Sequence, residues 1–345
     1  MSTNSGLAAQ RQSASFRLSA VVPCFNEEAV LAELHARLTG ACQRLVDGSY
    51  EIILVNDGSS DGTWSAMTAL ASRDAHVVAV NLARNYGHQL ALTAGLRLCR
   101  GDRVLVIDAD LQDPPELLAE MMALMDGGAN VVYGQRLSRD GEGWLKQLSA
   151  SLFYRLLARM TDVAIPRDTG EFRLMDRKVV EALNELPEQF RFIRGMVSWI
   201  GFRQVPLPYE RQARFAGASK YPFRKMLVFA FDAITGFSTV PLRLSTYFAM
   251  IAIVAAALLS IYVVYAWLFL AAVKGWASTL LPFLVFSGIQ LLVLGLMGEY
   301  VGRIYMETKR RPLFIIDEIV VNPNSAEAGR HRHGAGRSGD ERSSL

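Results

Sequence analysis

The chain has 345 residues, room for one large domain or for a domain with an appendage. Its 36 Lys and Arg residues stand against 33 Asp and Glu, and the formal charge of +3 excludes the strongly basic balance of a bulk nucleic-acid binder. Three widely spaced cysteines (Cys24, Cys42 and Cys99) without a CxxC argue against a disulfide framework or a zinc site and read as buried thiols in a reducing compartment.

In chain order, residues 1–15 lack a long apolar run. They read as a disordered N-terminus rather than a cleaved signal peptide, which leaves the polar part of the chain in the cytoplasm. Apolar strand-like runs then alternate with helical patterns. LSAVVPCF (18–25) predicts a strand, followed by a helix through EEAVLAELHARLTGAC. EIILVN (51–56) is the next strand, and the turn DGSSDGT leads to a second helix. HVVAVNLA (76–83) precedes a helix at HQLALTAGLRLC. RVLVID (103–108) precedes ELLAEMMALM, whose start suits Pro114 and Pro115. NVVYGQR (130–136) is a fifth strand. This order predicts an α/β domain over residues 16–220, with a mostly parallel sheet covered on both faces. Ligands bind such sheets beyond the carboxyl ends of the strands.

Past residue 220 the character changes. In the stretch 221–240, Phe223, Leu227, Phe231 and Ile234 share one helical face, and Arg224 and Lys225 lie near its start, which suits a bilayer interface. Residues 241–305 hold two long apolar runs, at about 244–273 and 277–298, with Lys274 the only charge between them. Either run can cross a hydrocarbon core roughly 30 Å thick. Arg243 precedes the first, and Arg303, Lys309, Arg310 and Arg311 follow the second. The positive-inside rule therefore predicts a multi-pass hairpin with the α/β domain and both termini cytoplasmic. Residues 306–321 form a cytoplasmic segment, and the Gly-, Ser- and Arg-rich tail 322–345 reads as disordered.

Three loops at the expected ligand edge carry chemistry. They are Asn26–Glu28 after the first strand, Asp57–Thr63 after the second and Asp108–Asp113 after the fourth. No GxGxxG follows a strand and no GxxxxGK[ST] is present, which disfavours a dinucleotide dehydrogenase and a P-loop NTPase. In an extended chain Asp108, Asp110 and Gln112 would project to one side. Carboxylate and amide oxygens suit a hard divalent ion such as Mg²⁺, or Mn²⁺, that completes its shell with water and a diphosphate. Asp113 reads as a cap for the following helix. Asp57 could accept from a base or a ribose hydroxyl, and Asp61 either closes its turn or binds a ligand.

PCFNEE, VNDGSSDGT, NYGHQLALTAGL, DADLQDPPE, DTGEFRLMDR and RQARFAGASKYP together resemble glycosyltransferase family 2 with the GT-A fold. Within it the chain is similar to the polyprenyl-phosphate glycosyltransferases over about residues 16–320. The resemblance implies a Rossmann-like catalytic domain followed by a two-helix membrane hairpin. It implies Pro23, Asn26 and Glu28 beside the nucleotide and Asp57 by its base. Asp108, Asp110 and Gln112 would surround the metal and the donor diphosphate. Arg136 would hold an acceptor phosphate, with Lys146 and Ser149 as further phosphate-binding groups. Arg211, Arg214, Ser219 and Lys220 would sit on a loop that closes over the donor. Asp168 would contact donor-sugar hydroxyls or position that loop, unless it serves structurally beside Arg173 or Arg177. Glu171 accompanies it in DTGEFR, and His88 receives no chemical role beyond possible capping. The implied partners are a nucleotide diphosphate sugar, a polyprenyl phosphate, the inner membrane and further copies of the chain, with no nucleic acid.

The chemistry is self-consistent. A phosphate monoester with its second pKa near 6 is mostly a dianion at neutral pH. It attacks without a general base, and inversion turns an α-linked nucleotide sugar into a β-linked lipid product. The expected reaction moves a hexose, glucose from UDP-glucose ahead of mannose from GDP-mannose, onto undecaprenyl phosphate. A processive polysaccharide synthase would normally carry a QxxRW motif, where residues 189–192 read QFRF. A non-catalytic nucleotide-sugar-binding subunit is the remaining alternative.

Overall fold

The structure is a computed structural model that describes residues 16–137, 169–210, 240–269 and 276–322. Two compact units emerge. The first holds an eight-stranded sheet, in the order β7-β5-β6-β4-β1-β2-β3-β8. Its strands are β1 (Phe16–Cys24), β2 (Tyr50–Asn56), β3 (Val77–Leu82), β4 (Gly101–Val106), β5 (Val131–Arg136), β6 (Thr169–Asp176), β7 (Gln204–Tyr209) and β8 (Ile316–Val321). The described helices of this unit are α1 (Leu31–Val46), α2 (Thr63–Arg73), α3 (His88–Leu98), α4 (Leu118–Asp126), α5 (Arg177–Glu185) and α6 (Ile193–Ile200).

β1 pairs in parallel with β2 and β4, and β2 with β3. All seven residues of β2 are buried, and so are the last seven of β1. Such unbroken burial is what a central parallel strand covered on both faces demands, and the polar exceptions, Ser19, Glu51 and Asn56, lie near the ends of these buried runs. The apolar face of α1 (Leu34, Leu38 and Cys42) packs into the same core as Leu18, Ile52 and Leu54. All three cysteines are buried thiols, and burial pushes Cys42 up to about 12 and Cys99 to about 11.

Three strands lie outside the predicted set. β6 runs antiparallel between β4 and β5. Its Glu171 and Arg173 break the apolar pattern, yet both are buried because they pair with each other. β7 carries Pro206 and Pro208, which weaken any strand reading, and it lies at the sheet edge where proline is tolerated. β8 closes the opposite edge, antiparallel to β3, and Asn322 just after it donates to Ser72 O at 2.8 Å.

The second unit is described through α7 (Val240–Phe269, 30 residues) and α8 (Trp276–Thr308, 33 residues). Each contains a window, Ser245–Tyr262 and Val285–Thr308, with mean hydropathy 1.9 and 1.5. Both helices are long and apolar enough to cross a membrane. α8 continues past the predicted end at residue 298, and Arg303 there pairs with Glu299 one turn back at 3.1 Å. The interfacial stretch 221–239, the terminus 1–15 and the tail from residue 323 lie outside the described residues.

Candidate active site

The loops after β1 and β2 are stitched together by their own polar side chains. Asn26, at φ 57°, accepts from Ser60 N at 2.8 Å through Oδ1, while its own N–H donates to Ser59 Oγ at 3.0 Å. Glu28 accepts from Gly62 N at 3.0 Å, and a Cβ on Gly62 would stand 2.3 Å from the Glu28 carboxylate. Asp61 accepts from Thr63 N at 3.0 Å and so closes its turn at the start of α2. Burial works against its charge, but the hydrogen bonds from Thr63 outweigh it and hold the Asp61 carboxyl below the usual range. Pro23 is buried inside β1 opposite Val55, one step below the edge, so it backs these loops.

Asp57 is 3% exposed and accepts from two backbone amides, Tyr86 N at 2.7 Å and Gly87 N at 2.9 Å. It thereby pins the loop between β3 and α3. Burial raises its pKa, and the two amides only partly offset that rise. Gly58 has φ +64° and sits where a Cβ would lie 2.5 Å from Asn85 N, so the same loop demands glycine there.

β4 ends at Val106, so the stretch through Asp108, Asp110 and Gln112 is a set of turns rather than extended chain. Leu111 has φ 57°, and Gln112 N donates to Asp110 Oδ1 at 3.2 Å. The strand alternation expected to align these three side chains therefore does not apply. The three oxygen-bearing side chains nonetheless stand in one five-residue loop at the carboxyl end of β4. Asp108 Oδ1 lies 2.8 Å from His88 Nε2, at the first turn of α3. Burial disfavours the imidazolium, but the hydrogen bond and charge of Asp108 dominate and raise His88 to about 9. His88 does not cap α3: the residue before the helix is Gly87, with no side-chain capping bond.

Asp113 is fully buried. It does not cap the turn after Pro114, where no side-chain cap is formed. Instead it accepts a short hydrogen bond from the Tyr209 hydroxyl, and Arg136 Nη2 stands 3.8 Å away. Nearby, Glu171 faces Arg173 at 3.4 Å and Arg194 at 3.5 Å, and Gln89 Nε2 donates to it at 3.3 Å. Burial alone would raise the Glu171 pKa, but the two guanidinium groups prevail and keep it below the usual carboxylate range. Arg177 turns away and donates to Gly101 O and Cys99 O.

This edge carries an acidic and amide-rich rim with Arg136, Arg173 and Arg194 set against its carboxylates, in the place where an open parallel sheet binds ligands. The family model described as Glycosyl transferase family 2 matches residues 19–183. Over 301 residues the chain is 46% identical to the uncharacterized glycosyltransferase YkcC of Bacillus subtilis, covering 87% of this chain and 93% of that protein. The chain belongs to glycosyl transferase family 2. It is 39% identical over 309 residues to a prophage bactoprenol glucosyl transferase homolog of Escherichia coli, covering 88% of this chain and 99% of that one. It is equally 39% identical over 307 residues to the bactoprenol glucosyl transferase of Shigella phage SfV, covering 87% and 98% of the two chains. The mixed, mostly parallel sheet is that of a GT-A glycosyltransferase, and the protein is an enzyme of that class.

In this family 2 glycosyltransferase the donor set Asp108, Asp110 and Gln112 fits a divalent cation by its chemistry. Two carboxylates and an amide oxygen leave part of the shell to water and phosphate, as Mg²⁺ and Mn²⁺ sites on diphosphates do. Among the described residues no three His, Cys, Asp or Glu side chains cluster as a metal cage of their own. The predicted residues Lys146, Ser149, Asp168, Arg211, Arg214, Ser219 and Lys220 lie outside the described residues. His88 and Tyr209, which the sequence left without a role, contact the candidate site residues Asp108 and Asp113. A histidine opening a helix at the ligand edge was the available signal for the first, and Tyr209 gave none.

Proposed function

We propose that this enzyme is an inverting, membrane-bound transferase that moves a hexose from a nucleotide diphosphate sugar to a polyprenyl phosphate. Glucose from UDP-glucose and undecaprenyl phosphate are the preferred pair. The similarity to proteins named bactoprenol glucosyl transferase over most of both chains supports that choice. Two helices long and apolar enough to cross a membrane support a lipid acceptor. Arg243 before the first span and the basic run Lys309–Arg311 after the second favour a cytoplasmic catalytic domain.

One observation carries the reading. Among the described residues, the carboxylates Glu28, Asp57, Asp61, Asp108, Asp110, Asp113 and Glu171 at this edge each already accept a hydrogen bond or face a basic partner. A base for a hydroxyl acceptor is best a carboxylate left poised to take a proton. A lipid phosphate needs none, because it brings its own negative oxygen. It needs a cation to hold it, and Arg136 at the end of β5 supplies one.

The reaction forms a bond from the acceptor phosphate oxygen to the anomeric carbon and breaks the bond from that carbon to the donor diphosphate. The electron pair leaves with the nucleoside diphosphate, and no proton is taken from the acceptor. The loops held by Asn26, Glu28 and Asp57 shape the nucleotide end of the cleft. Arg136 orients the attacking phosphate. Asp108, Asp110 and Gln112 would hold Mg²⁺ or Mn²⁺, which when bound offsets the charge that gathers on the departing diphosphate.

The experiment is to mix purified protein, undecaprenyl phosphate and a panel of nucleotide sugars, with and without EDTA, and to read the products by mass spectrometry. A hexose on undecaprenyl phosphate, formed from UDP-glucose and lost with EDTA, is expected. Mannose transfer from GDP-mannose would replace the donor assignment. Sugar in long polymer rather than in lipid, or donor binding without turnover, would refute the reading.

A further inference from the structure

Four separate motifs meet around the Arg136 guanidinium, and each contributes something that only the folded chain makes sense of. Arg136 in YGQR and Tyr209 in VPLPY are register partners on the parallel strands β5 and β7. Arg136 Nε donates to the Tyr209 hydroxyl at 3.5 Å. That hydroxyl in turn donates to Asp113 Oδ1, from the loop DLQDPPE, 96 residues away in sequence. The Asp113 carboxylate also faces Arg136 Nη2 at 3.8 Å.

Two glycines clear the space. A Cβ on Gly170, in DTGEFR, would stand 2.6 Å from Arg136 Nη2. A Cβ on Gly134 would stand 2.8 Å from the Tyr209 ring and 2.8 Å from Phe172. Neither glycine has a positive φ, so close approach rather than backbone freedom requires them. Phe172 meets the Tyr209 ring edge-on, with centroids 5.8 Å apart, and fixes its plane.

The contacts on the guanidinium are unequal. Tyr209 and Asp113 hold it with long contacts, while the Arg136 side chain remains 23% exposed. A guanidinium has five N–H donors in a planar fork. Among the described residues only one of them is committed to a hydrogen bond. An arginine serving structure alone would spend more of its fork, as Arg100 does on Glu51 through Nε and Nη2 at 3.1 and 2.9 Å. Burial alone would weaken the Arg136 charge, but Tyr209 and Asp113 outweigh it and keep the guanidinium firmly cationic.

We infer that Tyr209 and Asp113 are positioning residues that hold Arg136 with its free donors turned toward an incoming phosphate, in a slot that Gly134 and Gly170 keep open. Neither touches substrate. Each acts through Arg136, so the inference rests on the acceptor-phosphate reading of that arginine for its substrate, but not for its geometry. The ligand class is a phosphate monoester on a lipid.

The test uses the full-length protein in nanodiscs, with undecaprenyl phosphate and UDP-glucose each varied against a saturating amount of the other. Arg136→Ala is made first, then Tyr209→Phe, then the double variant. The Arg136–Tyr209 contact is long at 3.5 Å, so its loss is set at the roughly 0.5–1.5 kcal/mol of an ordinary hydrogen bond rather than the larger worth of a short charged one. Tyr209→Phe should therefore raise KM for the lipid phosphate by about 3- to 10-fold while leaving KM for the donor unchanged. Added to Arg136→Ala, it should cost nothing more, because the residue it acts through is gone. Asp113→Asn keeps the shape and an acceptor for the tyrosine but removes the charge, so its effect should have the same pattern and the same dependence on Arg136. Gly170→Ala should reproduce the loss by displacing the guanidinium. An unchanged thermal midpoint separates these effects from unfolding.

If Tyr209→Phe is silent while Arg136→Ala is not, or if its full effect persists without Arg136, the relay is wrong. If Arg136→Ala moves the donor KM instead, the acceptor reading fails. The relay then survives only if Tyr209→Phe moves that same constant and stops doing so in the double variant. If Arg136→Ala moves no constant, both fall.

Discussion

The two edges of the sheet use the same residue types in opposite ways. At the amino end, Glu51 is 1% exposed and takes Arg100 Nε and Nη2 together with the Arg100 backbone N–H at 2.7 Å and Ser19 Oγ at 2.8 Å. Both guanidinium nitrogens donate to Oε2, while Oε1 takes the backbone amide and the Ser19 hydroxyl, so both oxygens are occupied. At the carboxyl end, the Arg136–Asp113 separation is 3.8 Å, and Asp108 has the ring of His88 against one oxygen at 2.8 Å. The amino edge ties strands together. At the carboxyl edge the Arg136–Asp113 pair is looser, and on the proposed reading that leaves the guanidinium able to meet an anionic acceptor.

That contrast can be broken by substitution, and the largest effect belongs to the carboxyl edge. Asp110→Asn should abolish glycolipid formation, by about 10²-fold or more, with little change in thermal stability. Retained turnover would remove Asp110 from the reaction. Arg136→Ala should raise KM for lipid phosphate by about 10- to 100-fold, the worth of a hydrogen bond to a charged group, and spare donor binding. Equal loss of both would contradict its assignment.

At the amino edge the expected outcome reverses. Glu51→Ala leaves Arg100 without its partner and should cost about 3–5 kcal/mol of stability. Protein that remains folded should keep both KM values, and a selective loss of acceptor use would blur the distinction between the edges.

The smallest effect is a titration. In metal-free protein His88 should carry its proton up to about pH 9, because Asp108 raises its pKa. The raised folded-state value means that the ion pair contributes fully below the ordinary histidine range and fades as pH rises through about 9. Ring proton shifts against pH would show it, and Asp108→Asn should return the midpoint toward the ordinary range. A midpoint unmoved by that change would show that Asp108 is not the cause.

The first five strands and their helices are legible in the sequence because each is a local apolar run with its own turn chemistry. β6, β7 and β8 are not, for physical reasons that differ. Glu171 and Arg173 hide β6, since a buried ion pair is invisible until its partners are in place. Pro206 and Pro208 disguise β7, and only the knowledge that it is an edge strand excuses them. β8 follows two membrane-length helices, and its pairing with β3 links Asn81 to Asp317 across 236 residues. The site shows the same limit. Asp108, Asp110 and Gln112 stand out by their place after a strand, whereas Arg136, the last residue of its strand, is proposed through the family resemblance. Asp113 reads as a cap by local rules, and its partner Tyr209 comes from another edge strand altogether. Asp57 was assigned to the nucleotide, and in the fold its oxygens first secure the Tyr86–Gly87 loop.

The most direct measurement offers the enzyme undecaprenyl phosphate and undecaprenol side by side, with UDP-glucose and Mg²⁺, and identifies the lipid products by mass spectrometry. An acceptor that attacks with its own anionic oxygen predicts a hexosyl phosphate lipid as the sole product, with the alcohol left untouched. Glucosylated undecaprenol, formed at a comparable rate, would contradict it.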